Sequence, residues 1–188
     1  MKKILTLLGL AVFSFGFSQG GTLIVNNYTP YDYYGALIAN NFAGGCYPIV
    51  TPTTPGSMVT VPANSNMGTG TELRYDNYRD QFTSSLYPVT EWQVMLSATN
   101  GQPRLWSHPA IMPGSVVANN TKWGSTKFEM RIAGTTTNAP DNFHANLSVI
   151  GNPCNTAPDF FSTPSGSNSA EMFSLTSGGI VYTYIQLY

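Results

Sequence analysis

Glycine and proline divide this chain into pieces too short for most helices. Its 188 residues hold 18 glycines and 13 prolines. Globular helices run to at least about 10–12 residues without a breaker. The longest segment past residue 18 that lacks both residue types is Thr71 to Tyr87. Most of the remaining segments are short and read as strands. Thr22 to Asn27 (TLIVNN) is apolar and β-branched, and Tyr28-Thr29-Pro30 ends it. Further runs span Tyr33 to Asn40, Ser57 to Val61, Glu91 to Ala98, Lys127 to Arg131 and Phe143 to Val149. Trp92, Val94 and Leu96 share one face of their run, and Phe128, Met130 and Ile132 share one face of theirs. Ala145 and Leu147 point inward, with His144, Asn146 and Ser148 outward. Alternation with one polar face predicts antiparallel sheets. The fold class is therefore all-β, an antiparallel β-sandwich or jelly roll of about 8–10 short strands.

Turn chemistry fixes some connections. Thr99-Asn100-Gly101 carries Asn-Gly, the strongest short hairpin signal. Pro55-Gly56-Ser57 and Pro113-Gly114-Ser115 echo each other, each launching a β-branched strand. The final run, Gly179 to Tyr188, is nearly continuous β-formers. A strand this apolar invites aggregation when left at an edge. It is expected to insert between other strands or to pair beside Thr22 to Asn27.

Thr71 to Tyr87 breaks the strand pattern. Tyr75, Tyr78, Phe82 and Leu86 recur at helical spacing, Thr69 with Glu72 forms a capping-box pattern, and Pro88 supplies a stop. A short helix near residues 72–86 is predicted, in competition with a strand at Glu72 to Tyr75.

The N-terminus reads as a targeting segment. Lys2 and Lys3 precede an apolar run from Ile4 to Phe17, and Gly16 and Ser18 are the small residues a signal peptidase accepts. The run is shorter than the roughly 20 residues of a membrane-spanning helix. Residues 1–18 are expected to be a cleaved secretory signal peptide and residues 19–188 a single domain, exported to an extracellular or periplasmic location. No transmembrane helix is expected. In an oxidising compartment, Cys46 and Cys154 are expected to form a disulfide.

Charge excludes several classes. Only 9% of residues are charged, and 13% are aromatic; ordinary domains carry about 25% charged residues. Disorder driven by charge is excluded, and so is a nucleic-acid partner held by a basic patch. No HExxH, CxxC, GxSxG or phosphate-cradling motif occurs. His108 and His144 read as ordinary hydrogen-bonding residues, and no catalytic residue is assigned. On a helix, Glu72, Asp76 and Asp80 would share a face at spacing four, a candidate Ca²⁺ site. The competing reading is a solvated face on which Arg74 and Arg79 neutralise the acids. No other cofactor is expected.

Aromatic residues are the distinctive feature. Tyr28, Tyr31, Tyr33 and Tyr34 crowd around Pro30, and Tyr75 and Tyr78 add two more. Such rings stack on sugars, while Asn, Thr and Ser bond their hydroxyls. The candidate ligand residues are Tyr31, Tyr34, Tyr78, Trp106 and Trp123, with Tyr33 equally able to point inward. Asn27, Asn119 and Asn146 begin N-glycosylation tripeptides. Ile24-Val25-Asn26-Asn27, with aromatics soon after, resembles the first strand of thaumatin-like proteins. That family is disulfide-dense and this chain is not, so no function is carried over.

These observations predict a secreted binding or surface-interaction domain. Its expected partner is a glycan or another cell-surface component, recognised as a neutral carbohydrate through Tyr and Trp. The alternatives are a secreted hydrolase using carboxylates, or a structural or outer-membrane β protein ending in an aromatic strand. The prolines and short runs favour a sandwich over a barrel.

Overall fold

The computed structural model describes residues 21–53, 58–80 and 89–188. The expected signal peptide, residues 1–18, lies outside them. In chain order the strands are β1 (Thr22–Asn27), β2 (Tyr31–Asn41), β3 (Cys46–Pro52), β4 (Val59–Val61), β5 (Leu73–Asp76), β6 (Arg79–Asp80), β7 (Glu91–Ser97), β8 (Asn100–Leu105), β9 (Lys122–Ile132), β10 (His144–Ser148), β11 (Phe160–Ser162), β12 (Ser169–Ser177) and β13 (Ile180–Leu187). A one-turn helix, α1 (Val116–Asn120), precedes β9. The first sheet has the order β11-β12-β13-β1-β5-β6, and the second β10-β9-β2-β3-β7-β8 with β4 beside β2. The all-β sandwich expectation holds.

The core lies between the sheets. Leu23, Val25, Tyr75, Met172, Ile185 and Leu187 of the first sheet meet Leu37, Val50, Trp92, Trp123, Phe128 and Leu147 of the second. Gly35 permits one close approach in β2: a Cβ there would sit 2.5 Å from the Tyr33 ring and 2.6 Å from Phe128 Cβ. Tyr33 is fully buried, and its hydroxyl meets Thr126 Oγ1 at 2.7 Å.

The terminal run lies where its apolarity requires. β13 sits between β12 and β1 and pairs with both along its length. Its pairing with β1 is parallel, whereas antiparallel sheets were expected throughout. No hairpin joins these strands, so no tight turn imposes an antiparallel sense.

Four local expectations are corrected. Residues 73–80 form a β-hairpin, not a helix, with Asn77 at φ 53° in its turn. Leu73 and Tyr75 both point into the core at a spacing of two, and β1 supplies the backbone partner; a helix would satisfy neither. The rest of the predicted helix, residues 81–86, lies outside the described residues. Thr69 does not cap with Glu72. Asn66 caps a 3₁₀ turn at Met67–Thr69, and Thr69 closes that box. Ser115 launches α1 in place of a strand, its Oγ accepting from Ala118 N at 3.1 Å. The β7–β8 hairpin forms, but it turns at Ala98-Thr99, leaving Asn100-Gly101 inside β8. A register shift between Met95 and Ser97 accounts for this and leaves Leu96 54% exposed while Trp92 and Val94 stay buried.

Two polar side chains are buried for structural reasons. Ser148 lies on the outer side of β10, in register with Ser125, and the segment after β10 covers it there: Asn152 Nδ2 donates to its Oγ at 3.1 Å, and that Oγ donates to the Gly124 carbonyl at 3.1 Å. The Asn27 side chain donates to the carbonyls of Tyr31, Val61 and Pro62 and accepts from Thr29 N and Oγ1. It ties β1 to β2 and β4, so its glycosylation tripeptide is absorbed by the fold.

Cys46 and Cys154 form the expected disulfide, with Cα atoms 5.5 Å apart and a sequence separation of 108. The bridge joins the first residue of β3 to the segment after β10. Cys46→Ala is expected to lower unfolding free energy by about 2–5 kcal/mol without abolishing folding. Urea denaturation measures this, and an unchanged midpoint would show that the bridge contributes nothing.

Candidate functional site

The sequence grouped five aromatic residues that the fold separates. Tyr78 and Trp123 are each 2% exposed and belong to the core. Tyr75, Tyr78, Trp92 and Trp123 pack with ring centroids 5.3–6.3 Å apart. Trp92 Nε1 donates to the Tyr78 carbonyl at 2.8 Å, and the Tyr78 hydroxyl bonds Thr121 Oγ1. Burial pushes the phenols of Tyr33 and Tyr78 far above the ordinary tyrosine range. The role of Tyr78 and Trp123 as ligand residues is therefore corrected: their faces are covered because they fill the space between the sheets. Tyr31 packs partly buried against the core. Trp106 is 40% exposed, with the Arg79 guanidinium 5.1 Å from its ring centroid. Tyr34 is half-buried on β2.

The acidic triplet is also dispersed. Glu72, Asp76 and Asp80 lie on or beside a hairpin, where helical spacing no longer aligns them. Asp76 accepts from Thr22 Oγ1 at 2.8 Å and pairs with Arg74 at 3.5 Å. Among the described residues, no group of three His, Cys, Asp or Glu side chains is placed to hold a metal ion. His108 Nδ1 accepts from Ala110 N at 3.1 Å, a turn-forming contact.

Among the described residues, two surfaces that bear aromatic rings could hold a ligand. The first is the outer face of the first sheet. Thr183 points inward, its Oγ1 donating to the Trp123 carbonyl across the sandwich. Alternation then turns Tyr182, Tyr184 and Tyr188 outward along the β13 line. Phe173 pairs with Tyr184 and Leu175 with Tyr182 across the β12–β13 ladder. The Phe173 and Tyr184 rings are nearly parallel, 14° apart with centroids at 5.2 Å. Tyr28 and Tyr188 form a second such pair, 4° apart at 5.6 Å. The Tyr188 hydroxyl donates to Glu171 Oε1 at 3.3 Å; partial burial and the neighbouring carboxylate push its pKa up. Sequence reasoning missed this face, although the two-sided pattern of the last strand, with tyrosines opposite Ile185 and Leu187, carried the signal.

The second surface is a cleft of about 540 Å³ lined by Tyr34, Lys127 and His144 of the other sheet, by Met58, and by Phe161 of β11 in the first sheet, among others. Register sets Tyr34, Glu129 and His144 side by side across β2, β9 and β10, with Lys127 beside Asn146 in the next row. The Arg131 guanidinium lies 3.4 Å from the Tyr34 ring centroid and donates to Glu129 Oε1. The cation thus holds the tyrosine and neutralises the acid together.

No family model, curated protein or solved structure matches this chain.

Proposed function

We propose that the protein is an exported binding domain that presents the aromatic outer face of its first sheet to a neutral glycan. The observation that carries this reading is the pair of near-parallel ring stacks, Phe173 with Tyr184 and Tyr28 with Tyr188, on the side of the sheet turned from the core. Aromatic rings offer apolar faces to the C–H surfaces of sugars, and phenol hydroxyls bond their oxygens. Few charges anywhere in the chain compete for such a ligand. The disulfide supports the export half of the reading, because such bridges persist in oxidising compartments.

A glycan array followed by calorimetry tests the reading. At least one neutral glycan is expected to bind, and the double variant Tyr182→Ala/Tyr184→Ala to weaken that binding by more than about tenfold, roughly 1.4 kcal/mol. Both positions are only half-buried, so the variant is expected to keep its fold. Absence of any glycan ligand, or unchanged affinity in a folded variant, refutes the reading.

A further inference from the structure

We propose that the cleft on the second sheet is a separate binding site for an organic carboxylate with an apolar body. The cleft holds about 540 Å³, enough for a small ligand, and its wall is largely apolar, with Met58, Pro158 and Phe161 contributing. Its charges are unequally matched. Glu129, the one acid lining the cleft, already accepts from Arg131 Nε at 2.8 Å and from Nη2. Asp159, next to Pro158, does not line the cleft. Lys127 and His144 are both exposed, and neither side chain has a hydrogen-bond or ion-pair partner among the described residues. The cleft therefore carries one uncompensated ammonium and one free imidazole on a chain whose formal net charge is −1.

Each group has a role set by its position. The Tyr34 ring is fixed from one side by Arg131 and offers a rigid apolar wall. Lys127 and Asn146 form one cross-strand row and His144 with Glu129 the next. A carboxylate lying over these rows accepts from Lys127 Nζ, the His144 imidazole N–H and the Asn146 amide. Its apolar body then lies towards Met58 and Phe161. The bare charge favours an anion over a cation, and the apolar wall favours an organic anion over an inorganic one. This ligand differs in chemistry from the neutral glycan assigned to the opposite face, and the two sites stand or fall independently.

The test uses 2-naphthoate and its neutral isostere 2-naphthamide as probes, titrated into isotopically labelled protein at low ionic strength and followed by NMR. Naphthoate is expected to shift the backbone amides of Lys127, Glu129, His144 and Asn146 and to bind at least about tenfold more tightly than naphthamide. Lys127→Gln/His144→Gln is expected to remove that preference while leaving naphthamide binding unchanged. Both residues are exposed, so the amide spectrum of the variant confirms its fold. Equal binding of the two probes, shifts confined to other surfaces, or a preference that survives in the double variant overturns the proposal.

Discussion

Deleting Ile180 to Tyr188 is expected to abolish folding. β13 is an interior strand, bonded to β12 on one side and β1 on the other. Its loss removes Ile185 and Leu187, both fully buried, and uncovers Leu23, Val25 and Met172. Truncating one such side chain costs about 2–5 kcal/mol, and a domain has about 5–15 kcal/mol in total. The deletion removes two at once, together with the backbone bonds of a whole ladder. The truncated chain is expected to lack a near-UV circular dichroism signal and a cooperative melt. Retention of both would show that β13 is peripheral. Ile185→Ala is the graded companion, expected to cost about 2–5 kcal/mol and to leave a folded protein.

Alkaline pH is expected to unfold the protein through Tyr33 and Tyr78. Each phenol is held neutral in the folded chain because burial opposes its ionisation, and one hydroxyl contact, to Thr126 or Thr121, only partly offsets this. In the unfolded chain a tyrosine ionises near pH 10, about its ordinary value. Above that pH the unfolded state binds fewer protons than the folded state, so stability falls as pH rises. The contribution is complete below about pH 10 and declines by about 3 kcal/mol per pH unit for the two groups together. Urea denaturation at stepped alkaline pH measures the slope. Tyr33→Phe/Tyr78→Phe is expected to flatten it, at some loss of stability near neutrality. Equal slopes in the two proteins would exclude these residues as its cause.

The fold was largely legible because its strands alternate. Thr22–Asn27, the Lys127 to Arg131 run and the final run all announced themselves by β-branched or period-two patterns. The disulfide followed from two cysteines and the expectation of export. What failed was local ambiguity. Tyr75, Tyr78, Phe82 and Leu86 satisfy a helical period, yet Leu73 and Tyr75 also satisfy a strand, and the partner β1 decides between them. Asn100-Gly101 has hairpin chemistry, but a register shift between their own partners, Met95 and Ser97, moves the turn. The candidate site was less legible for a related reason. Aromatic density along the sequence does not reveal which side of a strand a ring occupies. Tyr33 and Tyr34 are neighbours, and one is sealed in the core while the other lines a cleft.

The parallel pairing of β1 with β13 constrains the order of folding. Thr22 lies opposite Tyr182, so β1 waits for a strand about 160 residues further along the chain. Closing so long a loop carries an entropic cost that only late, non-local contacts repay, and chains dominated by such pairings fold slowly. Until then β1, all six of whose residues are buried in the finished protein, has one flank open. β5 alone covers the other. Until β13 pairs with it, β1 thus offers an open flank able to recruit another chain.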